Sequence, residues 1–126
     1  MREKAQKKSQ PVLINITGAN GLVYFQSASS PGVNLDNQSW IERKRQTVMA
    51  FDRSSFYIGC KLRKQGRTLA GAFAKSETDY SAHGGGFPIR VAGTEGIVGV
   101  IVVSGLRQDE DHLLIVETIK DYLRKD

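Results

Sequence analysis

Ile97-Val98-Gly99-Val100-Ile101-Val102-Val103 is the longest apolar stretch in the chain, and its reading decides the fold. It falls far short of the roughly 20 apolar residues needed to span a bilayer. Its length and β-branched content are those of a strand. A strand without polar alternation has both faces covered, so this one is expected at the centre of a sheet. Upstream, Gly93-Thr94-Glu95-Gly96 reads as a turn. Before it, Phe87, Ile89 and Val91 alternate with Pro88, Arg90 and Ala92, which marks a second strand. Downstream, Ser104-Gly105-Leu106 leaves the sheet and a helix runs from Gln108 to about Lys125. Its apolar face is expected at Ile115, Val116, Ile119, Tyr122 and Leu123. Asp109, Glu110 and Asp111 in its first turn, with Arg124 and Lys125 in its last, follow the order that the helix dipole favours.

The first half of the chain supplies another strand pair and three helices. Residues 2–10 read as a polar helix end or tail that Pro11 terminates. Val12, Ile14 and Ile16 alternate with Leu13, Asn15 and Thr17. Leu22 to Gln26 reads as the hairpin partner across Asn20-Gly21, residues that tolerate the positive φ of a tight turn. After a Ser/Pro/Gly-rich loop, Asp36 or Asn37 is positioned to cap a helix. That helix carries Trp40, Ile41, Val48 and Phe51 on one face, read as core, with Lys44 as a polar gap in the stripe. Ser54 or Ser55 caps a second helix, Phe56 to Gln65, ending at Gly66. A short helix from Thr68 to about Ala74 and a turn at Ser76–Asp79 follow. The order β-β-α-α-α-β-β-α points to an α+β fold, an antiparallel sheet flanked by helices.

With 126 residues, 40% hydrophobic and 25% charged, the chain is expected to form one domain over residues 1–126. No signal-peptide core follows the charged N-terminus, and the single cysteine, Cys60, allows no internal disulfide. A cytoplasmic protein without a membrane span is the consistent expectation. The net charge of +5 is uneven, because residues 107–126 are net −2. The basic clusters at residues 2–8, 43–45 and 61–67 lack interleaved aromatics and any nucleic-acid motif, so nucleic acid is not an expected partner.

Chemistry is expected at Ala82-His83-Gly84-Gly85-Gly86-Phe87-Pro88-Ile89-Arg90. Consecutive glycines are costly in chain entropy. Their benefit is backbone that other groups can approach closely, and exposed amides in such a loop can cradle an anion. His83, Gly84, Gly85, Gly86 and Arg90 are therefore candidate ligand-binding residues. Arg43 and Arg45 join them from the basic turn Arg43-Lys44-Arg45. A wide structural turn is the competing reading of the glycines. The segment is neither a phosphate-binding loop nor a dinucleotide fingerprint. His112 beside Asp109, Glu110 and Asp111 has no second ligand at helical spacing, so no metal site is expected. Ser104 lacks the flanking glycines of a nucleophile elbow, and no catalytic set assembles in the sequence.

Trp40-Ile41-Glu42-Arg43-Lys44-Arg45, Ser54-Ser55-Phe56-Tyr57, Tyr80 through Arg90, and Gly99 with Val103-Ser104-Gly105-Leu106 and Asp111-His112 form an ordered set. In this order they resemble an uncharacterised subgroup of the heme-degrading-domain superfamily, which includes the GlcG, HbpS and PduO C-terminal-like domains. The resemblance runs from about Val12 to Leu123. It implies a profilin-like antiparallel sheet flanked by helices and a homo-oligomer built from dimers. It also implies an N-terminal strand and most of a helix ahead of Val12, where this chain has Met1 to Gln10. On that reading the chain is a shortened form with an exposed sheet edge. Gly86 stands where the family commonly has Ser, and Arg107 where Pro is common. Some relatives bind heme, and candidate axial ligands here are His83, His112, Tyr80, Met49 and Cys60, among which spacing does not choose. The functional expectation is an oligomeric ligand-binding protein taking heme or a small anionic molecule at the His83–Arg90 segment. An oligomeric protein-interaction module without catalytic activity is the alternative.

Overall fold

The computed structural model describes residues 2–6 and 10–124. In chain order they form α1 (Arg2–Gln6), β1 (Leu13–Gly18), β2 (Val23–Ala28), α2 (Leu35–Phe51) and α3 (Ser55–Gln65). Then come α4 (Leu69–Phe73), β3 (Gly86–Ile89), β4 (Gly99–Ser104) and α5 (Gln108–Arg124). The strands make one sheet in the order β2-β1-β4-β3, with every neighbouring pair antiparallel. The fold is α+β, as the element order implied.

From Gly99 onward the apolar run is central, with Ile97 and the exposed Val98 lying ahead of β4, and its chemistry explains the layers. All six residues of β4 are buried. Successive side chains point to opposite faces of a sheet. Val100 and Val102 pack with Leu13, Ile41 and Val48 beneath α2. Ile101 and Val103 pack with Ile14, Leu114 and Ile115 beneath α5. A third cluster, Ile58, Leu62 and Leu69 with Tyr80 and Ala82 against it, joins α3 to α4 beside the sheet. Pro88 is accommodated because β3 is an edge strand, where a missing amide donor breaks no ladder. At the other edge, β2 leaves Val23, Tyr24 and Phe25 exposed. Among the described residues, no helix is long and apolar enough to cross a membrane.

The structure revises several local expectations. The cap of α2 is Asn34, not Asp36 or Asn37. Its side chain accepts from the amides of Asp36 and Asn37, and the Asn37 side chain accepts from the Asn34 amide. The helix begins before its apolar stripe does, with Leu35 almost fully in solvent. Trp40 is only half-buried. Val91 lies beyond β3 and is exposed. On α5 the buried positions are Asp111, Leu114 and Ile115, whereas Tyr122 and Leu123 are exposed. A helix of this length runs about 25 Å. The six-residue strands span about 20 Å, and the last turn of the longer helix is left exposed at Tyr122 and Leu123. Lys125, expected in that turn, lies outside the described residues.

Candidate functional site

The Ser81–Gly86 segment threads between α2, α3 and the start of α5, and its hydrogen bonds show how it is held. The Ser81 amide donates to the Thr47 hydroxyl and the Arg43 carbonyl, and the His83 amide donates to the Ser81 hydroxyl. The Gly84 amide donates to Gln108 Oε1 at 3.1 Å, and the Gly86 amide to Ser55 Oγ at 2.9 Å. The Gly85 carbonyl accepts from the Val103 amide. The amides of Gly84 and Gly86 are thus engaged within the protein, and the glycines are buried packing backbone, not an open anion cradle. A Cβ on Gly84 would collide with the Gln108 carbonyl and the Phe56 ring. Gly85 has φ +127°, and a Cβ there would lie 2.5 Å from the Val103 carbonyl and 2.6 Å from Lys44 Nζ.

What Gly85 makes room for is a buried ion pair. Lys44 Nζ donates to the Val103 carbonyl at 2.8 Å and to Asp111 Oδ2 at 3.1 Å, while Asp111 Oδ1 accepts from the Leu106 amide. Both charged side chains are 3% exposed. Burial lowers the pKa of the Lys44 ammonium, with the Asp111 charge opposing that shift. Burial pushes the Asp111 carboxyl up to about 6, against the attraction of Lys44. The polar gap in the α2 stripe is therefore one half of an internal link from α2 to β4 and α5.

His83 lies at the surface end of this arrangement. Its imidazole stacks on Trp40 with ring centroids 4.9 Å apart, and the Arg43 guanidinium carbon sits 4.0 Å from the Trp40 centroid. Desolvation, then the charges of Lys44, Arg63 and Arg43, hold the His83 pKa below its usual value. That shift favours the neutral ring, which keeps a nitrogen lone pair able to act as ligand or acceptor. The same residues wall a cleft of about 360 Å³ whose basic side is completed by Arg63 and Arg67 and whose acid is Glu77. Its floor is apolar: Leu62, Leu69, Tyr80 and Ala82. Arg43 contributes a further unusual feature, a buried Nε without a hydrogen-bond partner. A second cleft, of about 270 Å³, shares Trp40, His83 and Gln108 with the first and reaches Lys44 and Asp111.

The structure therefore brings together His83 and Arg43, with Gly84 packed behind them. It places Arg90 elsewhere. Arg90 Nη2 donates to the carbonyl and side chain of Asp52, both at 2.7 Å, at the far end of α2. Trp40 and Asp52 are about 18 Å apart along that helix. Arg45 pairs with Glu42, and residues two apart on a helix do not share a face, so it points away from Arg43. Among the axial-ligand candidates, His83 and Tyr80 line the basic cleft. Cys60 is exposed beside Arg63, and Met49 is exposed on α2. His112 stacks on Phe56 with its Nδ1 buried. Trp40, expected in the core, and Arg63 and Arg67, noted only as part of a basic cluster, also line the candidate cleft.

Comparison with known proteins follows the fold and extends to the sequence. A UPF0303 protein of Streptomyces avermitilis is 39% identical over 123 residues, covering 98% of this chain and 74% of that protein. The crystal structure of the Ybr137w protein superposes with a TM-score of 0.92 at 33% identity, over 98% of this chain and 72% of that one. The PduOC:heme complex shares the fold with a TM-score of 0.69 at 22% identity, over 87% of this chain and 77% of that one. The family model described as haem degrading protein HbpS-like matches residues 1–120. Matched by that model and by relatives such as these along its length, the protein belongs to the HbpS-like haem degrading family.

Proposed function

We propose that this protein is an oligomeric, cytoplasmic ligand-binding protein that takes heme, or a small anionic molecule of similar charge, at the basic cleft. The observation that carries this reading is the His83 imidazole, whose surroundings hold its pKa below the ordinary value, stacked on Trp40 at the mouth of a cleft lined by Arg43, Arg63 and Arg67. The residues fit the group chemically. A neutral imidazole is a ligand for heme iron, guanidinium groups suit carboxylate side arms, and the Leu62, Leu69 and Ala82 floor suits an apolar ring edge. The volume lies at the low end of the range for small-molecule sites. The cleft would hold one side of a macrocycle, with the remainder against exposed surface. Bound there, heme would supply redox-active iron. The chain's own residues would supply the nitrogen ligand and the cationic rim.

Titration with hemin, followed by absorbance, tests the reading. Saturable one-to-one binding that weakens in Arg63→Ala and Arg67→Ala, and with added salt, is the expected outcome. Binding that never saturates, or that is indifferent to both arginines, contradicts it. Self-association is part of the same proposal and is supported by the uncovered edge of β2.

A further inference from the structure

The smaller cleft, on the other side of the His83–Trp40 pair, has walls whose hydrogen-bonding sense can be read atom by atom. Gln108 uses its side-chain oxygen to accept from the Gly84 amide, which leaves its NH₂ group as the part it can offer a ligand. Asn37 is fixed in the same sense: its oxygen accepts from the Asn34 amide, and its NH₂ is directed toward Ser104 Oγ, a long contact of 3.4 Å. Ser104 therefore accepts from Asn37, and its hydroxyl proton is available to donate. Lys44 has three N–H groups, two of which are engaged by Val103 and Asp111. The carboxylate oxygens of Asp111 already accept from the Leu106 amide and from Lys44. Four side chains lining one cleft thus present donors, and the innermost of them is a buried cation.

We propose that this cleft is a binding site for a small monocarboxylate, held by Lys44, Asn37, Ser104 and Gln108. Charge argues for a single negative charge. Asp111 lies in the wall and Asp36 at the rim, so a dianion such as phosphate would meet like charge on two sides. Size permits it, since about 270 Å³ admits a short-chain acid together with several water molecules. The assignment does not depend on the heme reading, because the arginines of the basic cleft take no part in it.

Isothermal titration with sodium acetate tests it, using the full chain in buffer free of other carboxylates and of phosphate. Gln108→Glu preserves an oxygen for the Gly84 amide but replaces the donor group with negative charge. Saturable acetate binding is expected, weakened at least about tenfold by Gln108→Glu, the scale of losing a hydrogen bond to a charged group. Ser104→Ala, the second variant, is expected to weaken it in the same direction, whereas Arg67→Ala leaves it unchanged. Three results would overturn the assignment: no saturable acetate binding, inorganic phosphate binding more tightly than acetate, or acetate binding lost in Arg67→Ala but intact in both cleft variants. Absence of hemin binding would sink only the separate heme proposal.

Discussion

Gly59 shows how a single residue can invert a general rule. Inside a helix, replacing glycine by alanine usually stabilises by about 1 kcal/mol. At this position on α3 the added Cβ would run into the carbonyl of Ala82, the residue before His83. Gly59→Ala is therefore expected to destabilise by about 2 kcal/mol or more, read as a lower urea midpoint with unchanged slope. The buried pair gives a second test at this scale. The folded Asp111 carboxyl is pushed up to about 6 from an ordinary value of 3.8. Its contribution is then fully present below about pH 4 and is lost as pH rises through 6, up to roughly 3 kcal/mol. Asp111→Asn cannot titrate. The stability of the natural protein relative to that variant should fall between pH 4 and pH 7. A flat difference would show that Lys44 balances burial, and one that grows with pH that it outweighs it.

At the scale of elements, the start of α2 was misplaced in the sequence reading because two downstream residues, Asp36 and Asn37, are also good caps. The reciprocal bonds between Asn34 and Asn37 decide the matter. Asn34→Ala should cost about 1 kcal/mol, while Asp36→Ala should change thermal stability little. The strands were easier to read than the helix faces. The unbroken apolar run of β4 reports directly that both its faces are covered, whereas the alternation along β1 hides that Asn15 and Thr17 are buried too. The face of α5 is less legible, because its apolar pattern runs on through Tyr122 and Leu123, which the fold leaves exposed. Lys44 carried a visible signal, a cation within an apolar stripe. Its partner is 67 residues away, and no local pattern links the two.

For the whole molecule, the antiparallel sheet and its helical cover followed from the element pattern, whereas the candidate site did so only in part. His83 and Arg43 stood out through local anomalies in composition. Trp40 joins Arg43 three residues along α2, while Arg63 and Arg67 join them because the Ser81–Gly86 segment is pressed between three helices. Arg90 left the set for the same reason, since its neighbour in space is Asp52. Assembly is testable at this scale. The edge of β2 exposes Val23, Tyr24 and Phe25, and a charge placed there should oppose pairing through that edge. Sedimentation of the natural protein is expected to show an oligomer that Tyr24→Lys shifts toward monomer.

His83 as the nitrogen ligand at the basic cleft is tested by the Soret band of the one-to-one hemin complex. The natural protein should give a shifted, sharpened band that His83→Ala loses and that added imidazole restores. An identical band in the His83→Ala protein would contradict the account.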